Sequence, residues 1–242
     1  MNHRTISDTI FWLGVSFVLL CLIHALSGCG EDMNHSPICR HDEGRVGRVE
    51  APIIDGVPSQ DRRGSALVFL PRGYCTGTVI GPHTVLTAGH CKNPESIEID
   101  IDGQRIGFEA IANFAHPDYN GNLRNDVRLV FVGDVLPEPY VTIASEPIEC
   151  ENLVAQGYGI GSEGALHERF VYTVVRYDEV IIGTESICNG DSGGGLYALH
   201  ADGSYSLVGV NSFGFGEAGV CDGPVGFANL LVLGDWVVEN IN

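Results

Sequence analysis

The chain has 242 residues, with 31 acidic and 13 basic side chains, a formal net charge of −18, and Lys92 as its single lysine. Nucleic acid and anionic lipid surfaces are excluded as partners, because both are held by positive charge that displaces counterions. The length suits one sizeable domain, or two small ones packed as one.

In chain order, Asn2, His3 and Arg4 make a weakly basic start, and Ile10 to Leu26 is almost wholly apolar, as in the core of a secretion signal. At about 1.5 Å per residue this run nearly spans a bilayer, so a retained membrane anchor is the competing reading. "LSGC", Leu26 to Cys29, resembles the bacterial lipobox, in which a small-residue pair precedes a cysteine that is lipidated and becomes the first residue. The expectation is a signal peptide over residues 1–28, a lipid on Cys29, and a mature chain anchored to the membrane rather than spanning it. An ordinary secreted protein is the alternative. Either way the chain is exported, to a bacterial cell envelope (periplasm or surface) or into the medium. Residues 29–52 are polar and charged without periodicity and read as a tether or propeptide.

From Ile53 onward, short β-branched runs such as "SALVFL", "SIEIDIDG", "DVRLVFVG" and "YSLVGVNSF" alternate with Gly, Pro, Asn and Asp. That pattern predicts an all-β sandwich or barrel. Only the end has helical spacing, with Leu230, Leu233, Trp236 and Val237 on one face. Of eight cysteines, Cys21 lies in the signal and Cys29 would carry the lipid; Cys39, Cys75, Cys91, Cys150, Cys188 and Cys221 remain. An even number in an exported protein reads as a disulfide framework with its pairing open. No Cys-x-x-Cys occurs, and His90–Cys91 is the one adjacent Cys/His pair, so neither a metal nor a cofactor is expected.

Three motifs carry chemistry: "TAGHC" from Thr87, "NDVRL" with Asp126, and "CNGDSGGG" with Ser192. A serine hydroxyl is a poor nucleophile until a base takes its proton, and a histidine base works best when a carboxylate fixes its tautomer. Backbone N–H groups must then meet the oxyanion as it forms, and glycines beside the serine allow that close approach.

In this order the motifs resemble those of the trypsin/chymotrypsin-type serine proteases. "IIDG" at Ile53, "CTGTVI" at Cys75, "GYG" at Gly157, "SFG" at Ser212 and "PVGFA" at Pro224 follow in the same order. The resemblance covers residues 53–242, and implies two six-stranded antiparallel β-barrels with a C-terminal helix and the site between the barrels. It makes Ser192 the nucleophile, His90 the general base and then acid, and Asp126 the orienting carboxylate, with oxyanion-hole N–H groups on Gly190 and Ser192. It gives Asp191 a separate task, pairing with the amino group of Ile53 once an activating protease has cut before it. It also implies disulfides Cys75–Cys91 and Cys188–Cys221; that leaves Cys39 to pair with Cys150, which would keep a cut chain on its lipid, the alternative being that either cysteine is free or bonded to another chain.

The implied activity is peptide-bond hydrolysis by a monomer acting on protein or peptide substrates, touching the membrane through its lipid alone. At the specificity pocket, Ser186 stands where trypsin-like members carry an aspartate, Gly214 leaves one wall open and Val225 narrows the other. Burying an unpaired lysine or arginine there is costly, so cleavage after small or medium apolar residues is expected. Ser212, Phe213 and Gly214 would pair with the substrate as an added strand. The acidic run Glu95 to Glu109 lies near where some members bind calcium, but its alternation reads as an exposed strand face with a turn.

Several positions leave the pattern: Gly195 for proline, Phe213 for tryptophan, Gly89 for alanine. Arg128, two residues past Asp126, should face the same side, either pairing with that carboxylate in competition with His90 or lying in another subsite. Pro52 precedes the expected new N-terminus and the nearest basic residue is Arg48, so a cut there leaves an overhang. Competing functions are a binding-only surface lipoprotein on the same fold and a hydrolase of non-peptide esters.

Overall fold

A computed structural model describes residues 53, 56–146, 153–159, 162, 164–184, 187–215, 221 and 223–241. The signal peptide, Cys29, Cys39, Pro52, Cys150 and Ser186 lie outside the described residues, and so do the expectations attached to them.

The first half is a closed barrel of six antiparallel strands. In chain order these are β2 (Ser65–Phe69), β3 (Tyr74–Gly81), β4 (Thr84–Thr87), β5 (Ser96–Ile101), β6 (Gln104–Ala115) and β7 (Arg128–Val132), arranged β2-β3-β4-β7-β6-β5. The period-2 pattern explains β5: Ile97 and Ile99 are fully buried, while Glu98 and Asp100 face outward. Asp102 and Gly103, both at positive φ (51° and 78°), turn the chain into β6, as a two-residue hairpin loop requires. The acidic stretch is thus a hairpin, and Glu98 lies 3.9 Å from Arg105.

The second half contains β1 (Val57–Pro58), β8 (Leu153–Gly157), β9 (His167–Val171), β10 (Thr173–Tyr177), β11 (Val180–Gly183), β12 (Gly195–Leu199), β13 (Tyr205–Gly214) and β14 (Val225–Asn229). Its order is β1-β9-β8-β12-β13-β14-β11-β10. Strands β9 and β10 are separated by Tyr172 alone, yet β9 pairs with β8 and β10 with β11, at opposite ends of the row. Tyr172 keeps the chain tied at the break, donating its N–H to Thr184 Oγ1 (3.1 Å) and accepting from Thr184 N (3.0 Å). One bent stretch, 167–177, therefore brings the row back on itself. Counted that way this half has six main strands, with β1 added as a short seventh on β9.

The C-terminal helix, Leu230–Glu239, is capped by Asn229, whose side chain accepts from Leu231 N. Leu230, Leu233 and Val237 are buried on the first barrel's core. Trp236 stays half-buried at its edge, its ring 4.7 Å from that of His116. Among the described residues no helix is long and apolar enough to cross a membrane.

Candidate active site

His90 sits on the turn that leaves β4, where Cys91 N donates to Ala88 O (3.0 Å). Cys91 is disulfide-bonded to Cys75 on the neighbouring strand β3, which fixes the turn against the barrel. Asp126 precedes β7 and is 3 % exposed. Its Oδ1 accepts from His90 N (2.8 Å) and its Oδ2 from His90 Nδ1 (2.8 Å). A carboxylate acceptor makes Nδ1 the protonated nitrogen and leaves Nε2 as the basic one. Ser212 Oγ also donates to Asp126 Oδ2. The sequence placed Ser212 on the substrate strand; its tie to Asp126 carries no local sequence signal, because the partners lie on different barrels.

Two further residues close around Asp126. A Cβ at Gly89 would stand 2.9 Å from Asp126 Oδ1 and 3.0 Å from Tyr119 Cδ1, so Tyr119 occupies the space an alanine methyl would need. Burial, and then the adjacent Asp126, push the Tyr119 phenol up to about 12. Arg128 does not pair with Asp126. Its guanidinium donates to Asn113 Oδ1 (2.5 Å) and Gly89 O (3.0 Å), gripping the peptide whose other end is the His90 N–H.

Ser192 lies on the loop before β12. Thr76 N, on β3, donates to Ser192 O (2.8 Å), and Cys91 Sγ is 3.9 Å from the same oxygen. The serine loop is therefore held against the strand and disulfide that carry His90. Gly193 has φ 87°, and a Cβ there would stand 2.0 Å from Thr87 Oγ1 and 2.2 Å from Thr76 O; only glycine fits that approach. Among the described residues, neither the Gly190 nor the Ser192 N–H has a hydrogen-bond partner. Asp191 is wholly buried. Its Oδ1 accepts from Gly159 N (2.7 Å) and its Oδ2 from Cys188 N (2.9 Å). Burial outweighs these bonds and pushes the carboxyl up to about 8. Ile53 is wholly buried.

The second disulfide joins Cys188 to Cys221. Val225 is buried and pairs across the sheet with Gly214 and with Gly183. A Cβ built on Gly214 meets nothing within 4 Å. Val225 shares an apolar cluster with Ile187 and Phe227; the sequence reading missed Ile187, whose bulk beside Ser186 was its available signal. Phe213 is half-buried with its ring 5.1 Å from that of exposed Phe215. The Cys75, Cys91 and His90 donor atoms cluster within 4.8 Å, but both sulfurs are spent in the disulfide and offer no thiolate.

The family model described as Trypsin matches residues 53–237. Proproteinase E of Bos taurus is 30 % identical over 211 residues, covering 69 % of this chain and 83 % of the relative. Kallikrein-4 of Homo sapiens is 26 % identical over 216 residues (73 % and 81 %), and Chymotrypsin-C of Bos taurus 27 % over 214 residues (70 % and 79 %).

Proposed function

This chain belongs to the trypsin family, and we propose that it works as a serine endopeptidase, cutting peptide bonds through His90, Asp126 and Ser192. The observation that carries this reading is the double grip of His90 on Asp126, by main chain and by ring, beside a serine loop pinned to Thr76.

Ser192 Oγ adds to the scissile carbonyl carbon as His90 Nε2 takes its proton, while Asp126 accepts from Nδ1 and stabilises the imidazolium. The carbonyl oxygen becomes an oxyanion, met by the Gly190 and Ser192 N–H groups. Collapse expels the amine, which takes the proton from His90 and leaves an acyl group on Ser192. Water then repeats the two steps and frees the acid. Asp126→Asn keeps the shape but favours the wrong tautomer, so kcat is expected to fall on the order of 10⁴-fold in peptide turnover.

Buried Ile187, Val225 and Phe227 support a pocket for small or medium apolar side chains, and Ser186, where trypsin-like members carry an aspartate, brings no charge. Peptides varied before the cut should be cleaved fastest after Ala, Val, Leu or Met; fastest cleavage after Arg would overturn the assignment. Ser212 to Gly214 supply the edge on which substrate adds as a strand. The proposal extends to an exported protein held by a lipid on Cys29. A cut before Ile53 would give the Asp191 carboxyl an ammonium partner, and a Cys39–Cys150 bond would keep the cut chain on its lipid. Turnover of a peptide library by purified protein, abolished in Ser192→Ala, tests the whole reading; a folded protein that turns over neither peptides nor esters would leave a binding-only lipoprotein.

A further inference from the structure

We infer that Asn211 is a positioning residue that holds the Asp191–Ser192 peptide in its working orientation, so that the uncut chain is competent without an amino group freed at Ile53. The inference rests on the serine-peptidase reading of the same site.

Asn211 lies on β13 and is wholly buried. Its Nδ2 donates to Asp191 O (3.1 Å) and to Gln156 O (3.0 Å); these two carbonyl partners fix which amide atom is the nitrogen. Its main chain holds the same loop, with Asn211 N donating to Gly194 O (2.8 Å) and Asn211 O accepting from Gly193 N (2.7 Å). Gly194 N adds a second donor on Asp191 O (2.9 Å). A trans peptide is planar, so its N–H points opposite to its C=O. With Asp191 O drawn toward β13 and β8, the Ser192 N–H is turned away from them, free to meet an oxyanion.

The neighbouring peptides are fixed in the same manner. Gly190 O accepts from Thr76 Oγ1 (2.9 Å) and Ser192 O from Thr76 N (2.8 Å). Three successive carbonyls, at 190, 191 and 192, are thus held by groups present before any cleavage. The Asp191 carboxyl itself is bonded by Gly159 N and Cys188 N. Burial pushes it up to about 8, toward the neutral acid, which lowers its demand for an ammonium partner. The Asn211 Oδ1 is buried without a partner among the described residues, a cost that an apolar strand residue would avoid. The amide is there for its N–H groups. An uncut working form also fits the sequence around Pro52, where a cut after Arg48 would leave an overhang.

The test is the rate of active-site phosphonylation by a fluorophosphonate. It compares the full-length chain, kept intact as read by mass, with chain beginning at Ile53 released from a cleavable fusion, each as wild type and Asn211→Val. Valine fills the volume and removes both donors. The uncut wild type should label within about tenfold of the cut form, and Asn211→Val should slow the uncut form by about 10–100-fold and the cut form by less. Equal slowing of both forms, as a merely structural role would give, overturns the inference. If Asn211→Val does not fold, Asn211→Ser, too short to reach both carbonyls, carries the same comparison. Labelling of the cut chain alone overturns the inference and keeps the peptidase. No labelling of either form overturns both.

Discussion

At the scale of single residues the site converges on Asp126, which takes the His90 main-chain N–H, the His90 ring N–H and the Ser212 hydroxyl. Arg128 acts one bond further out. By holding Gly89 O it polarises the peptide whose N–H reaches Asp126, and so orients the carboxylate without competing for it. Arg128→Met is expected to lower kcat about tenfold, ~1.4 kcal/mol of barrier, with KM nearly unchanged and Arg128→Lys restoring part of the loss. A change confined to KM would place Arg128 in a substrate subsite instead. Of the candidate site residues, His90, Asp126 and Ser192 stood out in the sequence because their flanking residues repeat a family pattern. Tyr119, Arg128's true partners and the Ser212 bond were not, since each depends on which side chains meet across separate elements. Gly89 read as a bare departure from the pattern until the Tyr119 ring accounted for it.

At the scale of elements the serine loop is the part whose chemistry depends on its surroundings. Among the described residues Asp191 is bonded by two backbone N–H groups, and it is wholly buried, so burial pushes its carboxyl up to about 8 from an ordinary 3.8. Between those values the folded chain keeps a proton that the unfolded chain has lost, so the uncut protein loses stability as pH rises from about 4 to about 8. Chemical denaturation across that range should show the decline, and Asp191→Asn should flatten it. The cut form, with an ammonium at Ile53 to favour the charged carboxylate, should lack the decline as well. A flat profile in the uncut wild type would mean that Asp191 is already ionised and paired. The strands were readable from alternation, most plainly at β5. The closure of the second half was not, because the break at Tyr172 and the opposite pairings of β9 and β10 arise from sheet register rather than from local pattern.

For the whole molecule, a charge of −18 gives anionic lipid no electrostatic hold and leaves the lipid on Cys29 as the proposed membrane attachment. Cys29→Ser should release the protein from the membrane fraction with peptide turnover unchanged; retention of that variant in the membrane would favour a spanning leader. The all-β architecture and the helix at the end were legible from composition and spacing, whereas the meeting of Ile187, Val225 and Phe227 in one cluster, at the proposed specificity pocket, was not. The most direct measurement of the central claim is the mass of the purified protein after exposure to a fluorophosphonate, with the modified residue located by peptide mapping. The account predicts one adduct per chain, on Ser192, lost in Ser192→Ala and slowed strongly in His90→Ala. A folded chain with both described disulfides formed and no adduct at Ser192 would contradict it.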